Sequence, residues 1–208
     1  VQALEKHGGD AVAVEADVSN PADVAELIAA ANELGGVDIM VNNAGIEEKH
    51  PFLEMPFEVF QKVLAVNLTG AWLCAQAAAK EMVARRRGGR IINISSVHEE
   101  LAMPTNAPYC AAKGGLRMLA RTISVELAPY GITVNNICPG AVDTPMDKPL
   151  KQKPEAFEKL LSEIPLHRMA KPEEVAAMCV YLASEEAAYV TGASFFIDGG
   201  LSKKSGSL

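Results

Sequence analysis

Short runs rich in valine and isoleucine alternate along this chain with longer amphipathic stretches, and that order leaves few folds open. Residues 11–18, 37–41, 90–94, 133–138 and 194–198 read as buried strands. Residues 21–34, 57–85, 109–128, 154–162 and 172–183 read as helices. Strands separated each time by a helix pair in parallel through crossovers, and a parallel sheet needs cover on both faces. The expected fold is therefore α/β, a doubly wound parallel sheet with helices on both faces. At 208 residues the chain fits one domain, residues 1–208, with 203–208 expected to be a mobile tail.

Local signals support the helices. Asn20 followed by Pro21 reads as a cap and a first helical residue, and Val24, Leu27, Ile28, Ala31 and Leu34 keep the 3.6 period until Gly35 and Gly36 stop it. From Phe57 onward, Phe60, Leu64, Leu68, Ala71, Ala75, Ala78 and Met82 step by three or four residues, so one long helix with one buried face is expected. Arg85, Arg86 and Arg87 close it, either as a phosphate-binding patch or as cations against the negative end of the helix dipole; the second reading is preferred.

Composition removes several function classes. The net charge of −7 would repel a phosphate backbone, which argues against nucleic acid as a partner. No apolar run reaches the ~18 residues of a membrane span, and the N-terminus lacks the order of a signal peptide, so no membrane partner and a cytoplasmic location are expected. Cys74, Cys110, Cys138 and Cys179 form no CxxC pair; they read as small apolar residues, and no metal site is expected.

Ligands of such sheets bind beyond the carboxyl ends of the strands. Asn42, Asn43, Ala44 and Gly45 follow one strand, Ser95 and Ser96 another, and Pro139, Gly140, Ala141, Val142, Asp143 and Thr144 a third. Each group alone is ordinary turn chemistry; together at one sheet edge they look like a site. On the next helix Tyr109 and Lys113 lie four apart, on a stripe continued by Leu116, Ala120, Ile123 and Leu127. A lysine on an apolar stripe needs a partner or a task. A phenol used as acid or base near neutrality needs about 3–4 kcal/mol of phenolate stabilisation, and a nearby ammonium and the helix N-terminus both act in that direction. Ser96 adds a hydroxyl that can hold a substrate oxygen. Asn67 puts an amide on the apolar face of the long helix, as a structural water bridge or as part of a proton path.

In order and spacing, Asp17-Val18, Asn42-Asn43-Ala44-Gly45, Asn67, Ser96, Tyr109-x-x-x-Lys113 and Pro139-Gly140-x-x-x-Thr144 resemble the short-chain dehydrogenase/reductase family, as do Tyr189 to Gly192 and Asp198 to Gly200. The resemblance runs from near residue 1 to Gly200. It implies a Rossmann-like fold and hydride transfer between NAD or NADP and an alcohol or carbonyl carbon. It implies that Tyr109 exchanges the hydroxyl proton, Lys113 lowers the Tyr109 pKa and holds the nicotinamide ribose, Ser96 orients the substrate oxygen and Asn67 positions a relay water. Asp17 and Val18 would meet the adenine, Asn43, Ala44 and Gly45 the adenosine ribose, and Pro139, Gly140, Val142 and Thr144 the nicotinamide end. Within the family the motifs are most similar to bacterial glucose 1-dehydrogenases. His98 and Glu99 stand where many relatives lead to a glycine, and imidazole and carboxylate both suit a sugar's hydroxyls, although a solvated loop explains them too. Another keto substrate, such as a 3-ketoacyl group, is the alternative within the same chemistry.

The family's glycine-rich cofactor turn does not occur in this sequence, and residues 1–9 look like the end of a helix. The expectation is an N-terminally truncated sheet, a fragment lacking its first βαβ unit; otherwise residues 11–18 pair directly with the strand at 37–41. Two function classes stay open on the sequence: an oxidoreductase, expected as a homotetramer in its full-length form, or a cofactor-free remnant serving as a binding or oligomerisation module.

Overall fold

The computed structural model describes residues 1–6, 8–145 and 151–203. In chain order the elements are α1 (Gln2–Glu5), α2 (Pro21–Glu33), β1 (Ile39–Asn42), α3 (Phe57–Leu64), α4 (Ala71–Arg85), β2 (Gly89–Ile94), α5 (Ala107–Leu127), β3 (Ile132–Pro139), α6 (Pro154–Glu163), α7 (Pro172–Ala183) and β4 (Ser194–Ile197). The four strands form one parallel sheet in the order β1-β2-β3-β4. Each connection carries a helix, as a parallel crossover requires.

Period-two alternation divides the strands between two cores. Ile91, Ile132 and Val134 pack with Ala75, Ala78, Met82 and Ala120, under α4 and α5. Ile92 and Ile137 point to the opposite face and pack with Leu182, backed by Val175, Met178 and Cys179 of α7. The expected cover on both faces is therefore present. Cys74 and Cys138 are buried, Cys110 and Cys179 half-buried, and all four are free thiols. Among the described residues no helix is long and apolar enough to cross a membrane.

Three expectations need correction. Residues 11–18 form no strand: they run without regular structure, with Val12 55% exposed. An extended segment is a strand only when a neighbour takes its backbone hydrogen bonds, and β1 pairs with β2 alone. The long helix is interrupted, because Ala65–Gly70 is a turn of π-helix between α3 and α4. Phe57, at the first position of α3, is 64% exposed although its spacing put it on the buried face, while Phe60 and Leu64 of the same stripe are half-buried. Of the expected tail at 203–208, residues 204–208 lie outside the described residues.

The remaining signals act as read. The Asn20 side chain accepts from the Ala22 N–H at 3.0 Å, with Pro21 beginning α2. At the end of α4, Arg86 takes a left-handed conformation and Arg85 reaches Asp38 at 3.4 Å. This is a helix C-terminus closed by cations.

Candidate active site

Tyr109 lies in the first turn of α5 and Lys113 one turn further on. The Lys113 ammonium stands 5.5 Å from the centre of the Tyr109 ring. Lys113 is buried, and it gives one of its three N–H donors to the Ile94 carbonyl at the end of β2, at 2.8 Å. Burial pulls its pKa down to about 8, against the raising effect of neighbouring Cys138 and Glu99.

Ser96 follows β2 directly. Its hydroxyl oxygen accepts from the His98 N–H at 3.2 Å and so caps the single 3-10 turn Val97–Glu99, leaving its own O–H to donate. That turn brings the His98 ring to 6.2 Å from the Tyr109 ring, edge to face at 71°. His98 Nδ1 lies 3.1 Å from the Leu101 carbonyl, an acceptor only, so Nδ1 carries the hydrogen. Burial lowers the His98 pKa more than its neighbours raise it, which favours the neutral ring with a free lone pair on Nε2.

Glu99 behaves differently from His98. Its side chain has no exposed surface, and its carboxylate accepts from Ser95 Oγ at 2.7 Å and Asn136 Nδ2 at 3.3 Å. The expectation that it binds a sugar hydroxyl is therefore corrected: the side chain is turned into the protein, where Oε2 takes both hydrogen bonds and Oε1 faces Arg117 Nε at 3.6 Å without one.

Asn67 lies in the π-helical turn and is buried. Its amide clamps the backbone of Ile46 from both sides, donating to the carbonyl and accepting from the N–H, each at 2.8 Å. The loop after β1 is tied down a second time by Asn106, which gives an N–H to Glu47 at 3.1 Å, and by the His50 N–H to the Thr105 carbonyl at 2.8 Å. The segment holding Asn43, Ala44 and Gly45 is thus anchored to the π-turn and to the start of α5, while those three residues stay exposed.

Of the residues expected to meet a cofactor, Val18, Asn43 and Ala44 line one groove with Met40, Gly70 and Cys74. A Cβ at Gly70 would come within 2.7 Å of Val18 Cγ2, so glycine there lets the 17–18 turn lie against the π-turn. Asp17 is exposed, and its carboxylate is spent locally, accepting from the Ser19 N–H at 2.9 Å and hydroxyl at 2.7 Å, which lowers its pKa. Pro139 ends β3, where Gly140 lies against Asp198 closely enough that a Cβ would stand 3.0 Å from the Asp198 Cα. Val142 bridges to Ala170, and Thr144 is half-buried just beyond.

The sequence reading missed Asn106 and a row of amides. Asn42, Asn93 and Asn136 stand in register on neighbouring strands, Asn42 donating to Asn93 at 2.8 Å and Asn93 to Asn136 at 2.9 Å. The available signal was an asparagine near the carboxyl end of each of three strands.

The groove beside β1 offers an apolar wall with an amide, and the Lys113 ammonium, with three N–H donors, is the kind of group that binds a ribose hydroxyl. Comparison with known proteins agrees. Residues 1–202 match the family described as enoyl-(acyl carrier protein) reductase. The chain is 43% identical over 204 residues to glucose 1-dehydrogenase 2 of Bacillus subtilis, covering 97% of this chain and 78% of the relative. It is 45% identical over 202 residues to 3beta-hydroxysteroid dehydrogenase 1 of Eggerthella lenta, covering 97% and 77%. A solved gluconate 5-dehydrogenase from Burkholderia cenocepacia, in complex with NADP and tartrate, superposes with a TM-score of 0.92 at 35% identity, over 98% of this chain and 80% of that one.

Proposed function

The chain belongs to the short-chain dehydrogenase/reductase family, whose members are oxidoreductases using NAD or NADP, and on that premise we propose that it interconverts a hydroxyl and a carbonyl on a sugar or related polyol. The nicotinamide, when bound, supplies the hydride donor or acceptor. Val18, Asn43, Ala44 and Gly45 would hold its adenosine part, and Pro139, Gly140, Val142, Thr144 and Lys113 its nicotinamide end.

Tyr109 takes or gives the hydroxyl proton at its phenolic oxygen. The Lys113 ammonium, 5.5 Å from the centre of the Tyr109 ring, acts to stabilise the phenolate that a phenol working near neutrality requires. The start of α5 adds the positive end of its dipole. Ser96 donates its O–H to the substrate oxygen. Asn67 acts by holding the loop after β1 through Ile46, and from its place in the π-turn it would fix a water for proton exchange.

The observation that carries the sugar reading is His98. A neutral imidazole beside Tyr109, with Nδ1–H committed to Leu101, offers an acceptor to a second hydroxyl next to the reacting one. Relatives named for a sugar and for a steroid are about equally similar over the whole chain, so overall identity does not choose between them. Turnover of glucose and of a simple secondary alcohol by wild type and His98→Ala tests this. We expect kcat/KM on glucose to fall about 2–10-fold, the value of one neutral hydrogen bond of roughly 0.5–1.5 kcal/mol, with the simple alcohol little changed. Equal losses on both would remove the sugar reading.

A further inference from the structure

Glu99 is a buried carboxylate at the junction of every element that carries the reacting groups. Its Oε2 accepts from Ser95 Oγ, next to Ser96 at the end of β2, and from Asn136 Nδ2 on β3. Its Oε1 lies 3.6 Å from Nε of Arg117, which sits one turn beyond Lys113 on α5. Arg117 is held from its other side by Glu100 at 2.6 Å.

Oε2 accepts both of these bonds, and that fixes their sense. Ser95 must donate, and Asn136 must turn its NH2 towards Glu99 and its carbonyl towards Asn93. Asn93 is then set against Asn42 in the same sense, and Asn42 gives a further N–H to the Ala71 carbonyl at 3.3 Å. One side chain thereby orients a hydrogen-bonded row across three strands to the start of α4. Burying a carboxylate costs several kcal/mol, and a well-packed apolar side chain often does as well for stability alone.

We propose that Glu99 is the positioning residue of this centre: it holds the Ser96-bearing end of β2 and the Tyr109 and Lys113 helix in fixed relation. This rests on the reading of Ser96, Tyr109 and Lys113 as the reacting groups. Burial draws Lys113 down, and Cys138 and Glu99 oppose it. The Cys138 thiol is itself pushed far above its usual value by burial and by Glu99, so it is neutral wherever Lys113 titrates. Glu99 is then the neighbour that acts to raise Lys113. The other titratable groups around Lys113 are Tyr109 and Arg117 on α5 and His98 on the 97–99 turn, while Glu58 and Lys62 of the packed helix α3 are exposed.

The test follows the Lys113 side chain itself through pH by 15Nζ NMR, assigned with Lys113→Arg, in wild type, Glu99→Gln and Glu99→Asp. Turnover against pH is measured alongside. In Glu99→Gln the Lys113 midpoint should fall by about one pH unit, the high-pH limb of kcat should move down with it, and KM should change less than about twofold. Glu99→Asp keeps the charge and withdraws it by one methylene. It should leave the midpoint within about half a unit of wild type while kcat falls severalfold, and it serves if Glu99→Gln does not fold. An unmoved midpoint in Glu99→Gln, or an unchanged kcat in Glu99→Asp, overturns the proposal. Absence of nicotinamide-dependent turnover in wild type would instead overturn the functional reading, with the Lys113 midpoint still deciding the role of the Glu99 charge.

Discussion

Lys113 occupies a place where an apolar side chain would pack without penalty. Its ordinary value of 10.5 drops to about 8 on burial, so between these two pH values the unfolded chain holds a proton that the folded chain has released. Folding stability therefore rises with pH through that window, and at pH 7 the whole cost of the buried charge is present, on the order of 3 kcal/mol. Lys113→Met should stabilise the protein at pH 7 by about 1–3 kcal/mol in urea titration and lose about 100-fold or more in turnover. A variant no more stable than wild type would mean that the ammonium is not a burden to the fold. Of the proposed reacting groups, the positions of Tyr109, Lys113 and Ser96 on α5 and after β2 were legible in the sequence, because helix period and strand ends fix where such residues sit. Glu99 was misread as a surface group, since its neighbours in space, Ser95, Asn136 and Arg117, come from three elements and only one is near in sequence.

At the scale of the element, the π-turn at Ala65–Gly70 does most to shape the site. It aims Asn67 at Ile46 and lets Gly70 lie against Val18. Leu68 within the turn meets α5 at Gly115, where a Cβ would stand 2.9 Å from Leu68 Cδ2. Gly70→Ala should push residues 17–18 out of the groove and weaken NADH or NADPH binding about tenfold, or ~1.4 kcal/mol, in a fluorescence titration with circular dichroism unchanged. Unaltered binding would show that the groove tolerates the shift. The sequence pattern described one continuous helix because each half obeys the 3.6 period. The extra residue in a π-turn has no strong signature of its own.

Across the whole molecule, the row from Asn42 through Asn93 and Asn136 to Glu99 joins three strands on the face covered by α4 and α5. Breaking it in the middle leaves buried partners on both sides. Asn93→Ala should cost about 2–4 kcal/mol in chemical denaturation, well above the ~1 kcal/mol of trimming Ile92 to valine. A loss no larger than that of Ile92→Val would mean that water fills the gap. The amino-acid sequence by itself determined the element types, the parallel sheet with two covered faces, and the spacing that groups Ser96, Tyr109 and Lys113, because these follow from local periodicity and turn chemistry. Only the tertiary structure decided that residues 11–18 stay outside the sheet, that the long helix changes phase at Asn67, and that Glu99 points inward. Each of those depends on which backbone or side chain, distant in sequence, is close enough to complete a hydrogen bond, and the order of residues along the chain does not specify that directly.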